Sequence, residues 1–143
     1  MNRVSGHMLE LCMAGFKGAQ QHNAHVALVA VDLGGHPVVV LRADRAPYAA
    51  IEAARRKAVA AAALQLPTAQ LNEMCAADAL MATAIAASGD MLVVPGGFPI
   101  IFDDKCVGGF GVAGGHYRDD DLIGRQALAK VSDSKSTGKP QSA

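Results

Sequence analysis

The chain has 143 residues, a length typical of one domain that can bury a core of its own. Thirteen basic residues balance thirteen acidic ones, so the formal net charge is zero, and nothing recommends a nucleic acid or an anionic membrane surface as partner. Apolar residues make up 51% of the chain but aromatics only 4%, so alanine and aliphatic side chains must fill the core.

No apolar stretch reaches the roughly 18 residues that a membrane-spanning helix needs. The first residues lead into an amphipathic segment rather than a secretory signal, which predicts a cytoplasmic protein. Cys12, Cys75 and Cys106 are odd in number and far apart, which argues against a disulfide framework or a zinc site. We therefore expect three reduced thiols and no metal site.

Apolar residues recur at helical spacing over residues 8–21, which predicts a first helix. A continuous apolar run at 26–31, a turn at 32–35 and a second apolar run at 36–42 predict a hairpin of two antiparallel strands. The chain therefore opens with a helix followed by two strands.

Pro47 marks the first turn of an alanine-rich helix over residues 48–66, and Pro67 ends it. Thr68 is a suitable N-cap for a shorter helix, with a break before a further helical segment at about residues 80–87. The middle of the chain is thus predicted to be entirely helical.

Residues 91–95 and the glycine-rich hairpin that follows predict the remaining strands, four or five in all. A last helix is predicted over residues 119–131, with three aspartates at its positively polarised start. Residues 132–143 are rich in Ser, Lys, Gly and Pro and predict a disordered tail. Hairpins joined by a helical crossover indicate an α+β fold, an antiparallel sheet covered by helices, in a single domain over residues 1–131.

Seven glycines fall within residues 96–115. Glycine inside strands weakens them and usually marks bends or the close approach of another backbone or a flat ligand. Two explanations remain open: the glycines let a helix or a second subunit pack tightly, or they line a ligand site. The glycines predicted to line such a site are Gly97, Gly109, Gly111, Gly114 and Gly115.

Six short motifs occur in order: VDLGGHP at 31–37, RAD at 42–44, RKA at 56–58, PT at 67–68, GGFP at 96–99 and VGGFGV at 107–112. As an ordered set they resemble the GlcG/HbpS family, which includes the C-terminal domain of PduO-type corrinoid adenosyltransferases. The resemblance covers about residues 8–131. Unlike the usual family pattern, Ala113 stands where a serine is common, and the loop beyond it carries His116.

The resemblance implies a PAS-like or profilin-like fold, assembly into dimers or larger rings, and binding of haem or a related tetrapyrrole, in some members with haem degradation. In a tetrapyrrole-binding protein, His22, His25 or His116 would lie near the metal, and Arg42 or Lys57 near a propionate. His7 is expected to be solvated. The predicted partners are a small-molecule ligand and further copies of the chain.

An alternative is a cofactor-free catabolic enzyme, an isomerase, lyase or hydrolase acting on a small organic acid. His116 would then be the general acid or base, Arg42 the carboxylate clamp, and Asp44 or Asp120 the second proton-transfer group. On either hypothesis His116 is predicted to line the pocket, because it follows two glycines and precedes a helix start. A structural oligomer without chemistry is the third alternative.

Overall fold

The computed structural model describes the backbone of residues 3–137 and the side chains of residues 3–132. This part of the chain contains five helices and four strands. In chain order they are α1 (Arg3–Gln21), β1 (Ala27–Asp32), β2 (Pro37–Arg42), α2 (Ala50–Leu64), α3 (Thr68–Ala77), α4 (Ala79–Ser88), β3 (Gly97–Phe102), β4 (Lys105–Ala113) and α5 (Tyr117–Thr137).

The four strands form one antiparallel sheet in the order β2-β1-β4-β3. Each hairpin contributes two neighbouring strands, and the pairing of β1 with β4 joins them, from Ala27 opposite Ala113 to Asp32 opposite Gly108. The predicted α+β class, an antiparallel sheet covered by helices, is therefore confirmed.

Helices cover both faces of the sheet. Because side chains alternate along a strand, Leu28 and Ala30 face a core shared with α1 and α5, whereas Val29 and Val31 face α2. The α1 and α5 side is built from large residues, including Leu11 and Phe110. The α2 side is built mainly from alanine and valine, so α2 lies close to the strands.

The predicted strand at residues 91–95 is wrong, because this segment is irregular. Its backbone groups find partners outside the sheet: the amide of Leu92 donates to the carbonyl of Arg56, and the side chain of Asn72 donates to the carbonyl of Val93. These two hydrogen bonds connect the segment to α2 and α3 instead of to the sheet.

The last helix starts earlier and ends later than predicted. It begins at Tyr117 and continues to Thr137, six positions past the predicted end at Val131. Residues 132–137, which the sequence assigned to the tail, belong to α5, and residues 138–143 lie outside the described part, so the disordered tail stays a prediction. No helix within that part is long and apolar enough to cross a membrane.

Candidate functional site

Three of the five predicted ligand-lining glycines contact helix α2 instead of open space. A Cβ added at Gly109 would overlap the carbonyl oxygen of Ala58, and one added at Gly111 would overlap that of Ala54. A Cβ added at Gly97 would lie close to the carbonyl oxygen of Lys57, the residue before Ala58 on the same helix. The space in front of these glycines is filled by backbone, so the helix-packing explanation is confirmed for them.

The other two, Gly114 and Gly115, line a cavity of about 460 Å³. We call it the His25 cavity. It is formed by the end of α1, the loops that precede β1 and α2, and the first turns of α5. Its lining residues are His22, Asn23, Ala24, His25, Arg45, Pro47, Gly114, Gly115, Asp119, Leu122 and Ile123.

Two imidazoles line the His25 cavity. The side chain of His25 is half-buried and makes no hydrogen bond to the described residues. The exposed His22 donates from Nε2 to Oε1 of Gln126 at 3.1 Å, an arrangement that leaves Nδ1 of His22 as the acceptor nitrogen. The cavity therefore has two imidazole side chains in its lining whose ring nitrogens could bind a metal.

Arg45 supplies the positive charge of this region. It lines the His25 cavity and also an adjoining cavity of about 380 Å³, which shares Asn23, Ala24 and His25 with it. The two cavities therefore adjoin each other at these shared residues. An anionic group bound there would find Arg45 at the boundary.

Gly114 holds the backbone of His25 in place. Its φ of 136° is a conformation that side-chain-bearing residues rarely adopt, and a Cβ there would lie 2.8 Å from the Cα of Val26 and against the carbonyl oxygen of His25. The glycine at this position lets the turn before α5 touch the segment that carries His25.

Lys57 and Asp120 form an ion pair behind the cavity. Their side chains are 4% and 3% exposed, and Nζ of Lys57 lies 3.3 Å from Oδ2 of Asp120. Nζ also donates to the carbonyl of Val112 at 2.8 Å, and Oδ1 of Asp120 accepts from the amide of Gly115 at 3.2 Å. Burial lowers the pKa of Lys57 and raises the pKa of Asp120, and the attraction within the pair opposes both shifts.

His116 lies outside the lining of the His25 cavity, so its place in a functional pocket stays a prediction from the sequence. Its side chain is exposed, its Nδ1 accepts from the amide of Arg118 at 3.1 Å, and its ring contacts that of Tyr117. The carbonyl of His116 accepts from two amides in the first turn of α5. It therefore serves as the N-terminal cap of that helix.

The four predicted catalytic residues are not assembled in one cavity. Arg42 is exposed and donates from Nη1 to the backbone carbonyl of Asp44 at 3.4 Å. Asp44 lines the adjoining cavity, whereas Asp120 is buried against Lys57. Because Arg42 and His116 line neither of the two cavities, the geometry offers no support for the acid–base enzyme.

A third cavity, of about 640 Å³, lies at the other end of the sheet. We call it the His7 cavity. His7 is half-buried and its ring lies 5.1 Å from that of Phe102, so the expectation of a solvated His7 is wrong. The remaining lining residues are Leu11, Pro67, Phe98, Pro99, Ile101, Asp103, Asp104, Leu128, Val131 and Ser132.

No group of three or more His, Cys, Asp or Glu side chains within the described residues could hold a bare metal ion.

The sequence profile of the family described as "Haem degrading protein HbpS-like" matches residues 6–129. The chain belongs to this HbpS-like family.

Individual relatives agree with this assignment. The chain is 28% identical over 124 residues to the corrinoid adenosyltransferase PduO of Salmonella typhimurium, covering 86% of this chain but only 37% of PduO. A double mutant of Streptomyces reticuli HbpS has a similar structure, with a TM-score of 0.79, 28% identity, and 88% and 84% of the two chains covered. A PduOC:heme complex is similar too, at a TM-score of 0.79 and 28% identity over 90% of this chain and 93% of that chain.

In this HbpS-like domain, sequence reasoning had not placed several lining residues of the His25 cavity. Leu122 and Ile123 lie three and four positions after Asp119 on α5, so both are neighbours of Asp119 on the helix surface. This spacing is the feature of the sequence from which the three residues could have been predicted to lie together. Arg45 is next in sequence to the predicted Asp44, but only the fold shows that Arg45 lines the His25 cavity.

Proposed function

We propose that the protein binds haem or a related tetrapyrrole in the His25 cavity. Two comparisons support the ligand class: the family is described as haem degrading, and a similar solved structure is a complex of PduOC with heme. The observation that carries the site is the half-buried His25 imidazole, which has no hydrogen-bond partner among the described residues and lies beside a bare glycine turn.

The residues of the cavity fit such a group. Imidazole nitrogen is a common axial ligand of haem iron, and His25 offers one that no neighbouring group occupies. Leu122, Ile123 and Pro47 provide apolar contact, while Gly114 leaves a wall of backbone without a side chain. Bound haem would supply a redox-active iron, whereas the chain would supply its ligand, its orientation and its contacts.

The basic residue in the lining of the His25 cavity is not one of the two that the sequence predicted to contact a propionate. Arg45 lines the cavity and is the cation proposed to meet a propionate. Lys57 is fully engaged with Asp120 and Val112, and Arg42 lies outside the lining. The propionate contact is therefore assigned to Arg45 in place of the two residues chosen from the sequence.

The His7 cavity is the alternative location for the same ligand. It is larger and more apolar, and it contains two of the four phenylalanines, Phe98 and Phe102. Its disadvantage is charge: its lining includes Asp103 and Asp104 and no lysine or arginine, whereas the lining of the His25 cavity includes Arg45 beside Asp119. We therefore favour the His25 cavity and use His7 as a separate arm of the test.

The test is a haemin titration monitored by the Soret band. The wild-type chain is expected to saturate at one haemin per subunit. His25→Ala is expected to weaken haemin affinity about ten- to a hundredfold or to shift the Soret maximum, because a lost axial ligand changes the iron's environment. Arg45→Ala should weaken affinity by a smaller factor without moving the maximum.

His116→Ala is the matched control, because His116 is close in sequence to the cavity lining but outside it. It is expected to leave the Soret band and affinity unchanged, with a loss of about 1 kcal/mol in stability from the missing cap. A change confined to His7→Ala would move the site to the His7 cavity. Absence of any Soret change with wild-type protein would refute the proposed function itself.

We also propose that the protein is a homo-oligomer that contacts further copies through α4. This helix carries no charged residue, yet none of its residues is buried, and its main contact is with α3. Leu80 is 79% exposed. An uncharged helix can meet an identical surface without desolvating charge, and the zero net charge of the chain removes long-range repulsion.

Light scattering is expected to give a multiple of the 14.7 kDa chain mass. Leu80→Glu should shift the distribution towards the monomer, whereas Leu33→Glu, at a 54% exposed turn position, should not. A monomer at micromolar concentration would contradict the proposal. The cytoplasmic location stays a prediction from the sequence.

A further inference from the structure

The buried pair of Lys57 and Asp120 is connected to the His25 cavity by contacts. Oδ1 of Asp120 accepts from the amide of Gly115 at 3.2 Å. Gly115 follows Gly114, whose missing side chain leaves room for the carbonyl of His25, since an added Cβ would overlap that oxygen. A continuous path therefore runs from a buried carboxylate, through two residues of the cavity wall, to the imidazole-bearing segment.

The surrounding backbone is shaped to hold the ammonium group. Nζ of Lys57 is bonded to both Asp120 and the carbonyl of Val112, so it joins α2, β4 and α5 at one point. Gly96 has a φ of 125°, and a Cβ there would lie 2.8 Å from Nζ and 2.7 Å from the carbonyl oxygen of Val112. Position 96 can therefore hold only glycine as long as Nζ of Lys57 is bound to the carbonyl of Val112.

Stability alone does not account for this arrangement. Burying two charges costs desolvation, and a well-packed apolar pair in the same place is often as stable or more stable. What an apolar pair could not provide is an acceptor for the amide of Gly115, a residue exposed at the cavity wall. The charged pair thus supplies a hydrogen-bond acceptor that an apolar pair would lack.

We propose that Lys57 and Asp120 are positioning residues that fix the Gly114–Gly115 turn and, through it, the imidazole of His25 for ligand binding. This inference rests on the proposed function for its ligand. Lys57 orients the carboxylate of Asp120, and the carboxylate holds the Gly115 amide. Neither residue contacts the ligand.

The decisive experiment compares two double variants, K57M/D120L and K57M/D120N. Both remove both charges, but only the second keeps a side-chain oxygen that can accept from Gly115. In K57M/D120L, amide exchange at Gly115 is expected to become about tenfold faster, as for one lost hydrogen bond. The NMR signals of the His25 ring should shift, and haemin affinity should fall about ten- to a hundredfold, as for the loss of a group that orients a metal ligand. In K57M/D120N the exchange rate at Gly115, the His25 ring signals and the haemin affinity should all stay close to their wild-type values.

Ile100→Val serves as the control for stability. Ile100 is buried on β3 and does not line the His25 cavity, so its variant should melt lower with unchanged His25 signals and haemin affinity. Equal Gly115 exchange and equal His25 signals in the two double variants would overturn the inference and leave the pair a purely structural feature.

Exchange and ring signals are measured without haemin, so they decide the positioning role even if wild-type protein fails to bind haemin and the proposed function falls. Should K57M/D120L not fold, K57M/D120A takes its place in the comparison with K57M/D120N, because alanine also lacks an acceptor for the amide of Gly115. Faster exchange at Gly115 in K57M/D120A, with a shift of the His25 signals, supports the inference. Unchanged values overturn it.

Discussion

Gly109→Ala is expected to be strongly destabilising although it adds only one methyl group. Gly109 lies on β4 with its open side against α2, and the added Cβ would overlap the carbonyl oxygen of Ala58. That oxygen belongs to a helical backbone and cannot rotate away as a side chain would. The whole of α2 must therefore move from the sheet, or β4 must bend.

The size of the effect follows from this geometry. Inserting a methyl group into a packed core costs about 1–3 kcal/mol, and a clash with backbone places Gly109→Ala at about 3 kcal/mol. For a domain of this size, that corresponds to a fall of about 10 °C in melting temperature. Gly111→Ala meets Ala54 in the same way and should cost a similar amount. The two changes together should cost less than their sum, since α2 moves once.

Thermal unfolding followed by circular dichroism measures the change. Gly18→Ala is the matched control: it is the same substitution, within α1, and an added Cβ there meets nothing within 4 Å. It should raise stability by about 0.5–1 kcal/mol, because alanine favours helix more than glycine does. If Gly109→Ala melted like wild type or like Gly18→Ala, the packing of α2 on the glycines of β4 would be refuted.

Three further outcomes are expected. Burial raises the pKa of Cys12 to about 12, so at pH 8 iodoacetamide should modify the two half-buried thiols well before this one, as read by mass spectrometry of native protein. Thr68→Val should cost about 1–3 kcal/mol in denaturant unfolding, because the Gly97 amide loses its 2.7 Å acceptor, and Thr68→Ser should restore most of it. The amide of His36 lowers the pKa of Asp32, so this carboxylate stabilises the fold above pH 3.8, its usual pKa, and the contribution is lost as pH falls through the lower folded pKa. Asp32→Asn should remove that part of the acid dependence.

Local sequence signals predicted most of the fold. The apolar run before a glycine turn indicated the first hairpin, and Pro47 and Pro67 bracketed α2 because proline is tolerated at helix starts and ends helices. Thr68 shows the limit of such signals. It is the first residue of α3, after Pro67 as N-cap, and its hydroxyl bonds to Gly97 in a distant strand. A local rule could not anticipate that partner.

The candidate site was predictable only in part. His22, His25, Gly114 and Gly115 were all named from the sequence, and the fold gathers them around one cavity, although their role in binding stays a prediction. Asp120 was named, with Asp44, as a possible second proton-transfer group, but in the structure its side chain is buried against Lys57. Its partner is 63 positions away, and no periodicity connects residues across such a distance.

Topology has a consequence for how the chain folds. Each hairpin pairs residues close in sequence and can close in about 1–10 μs, but β1 and β4 are separated by α2, α3 and α4. Their pairing must wait until a long loop has been closed, which slows folding in proteins dominated by non-local contacts. The rate-limiting event is then the meeting of two preformed hairpins. Because unfolding follows the same route in reverse, separation of the two hairpins between β1 and β4 would be the event that limits unfolding.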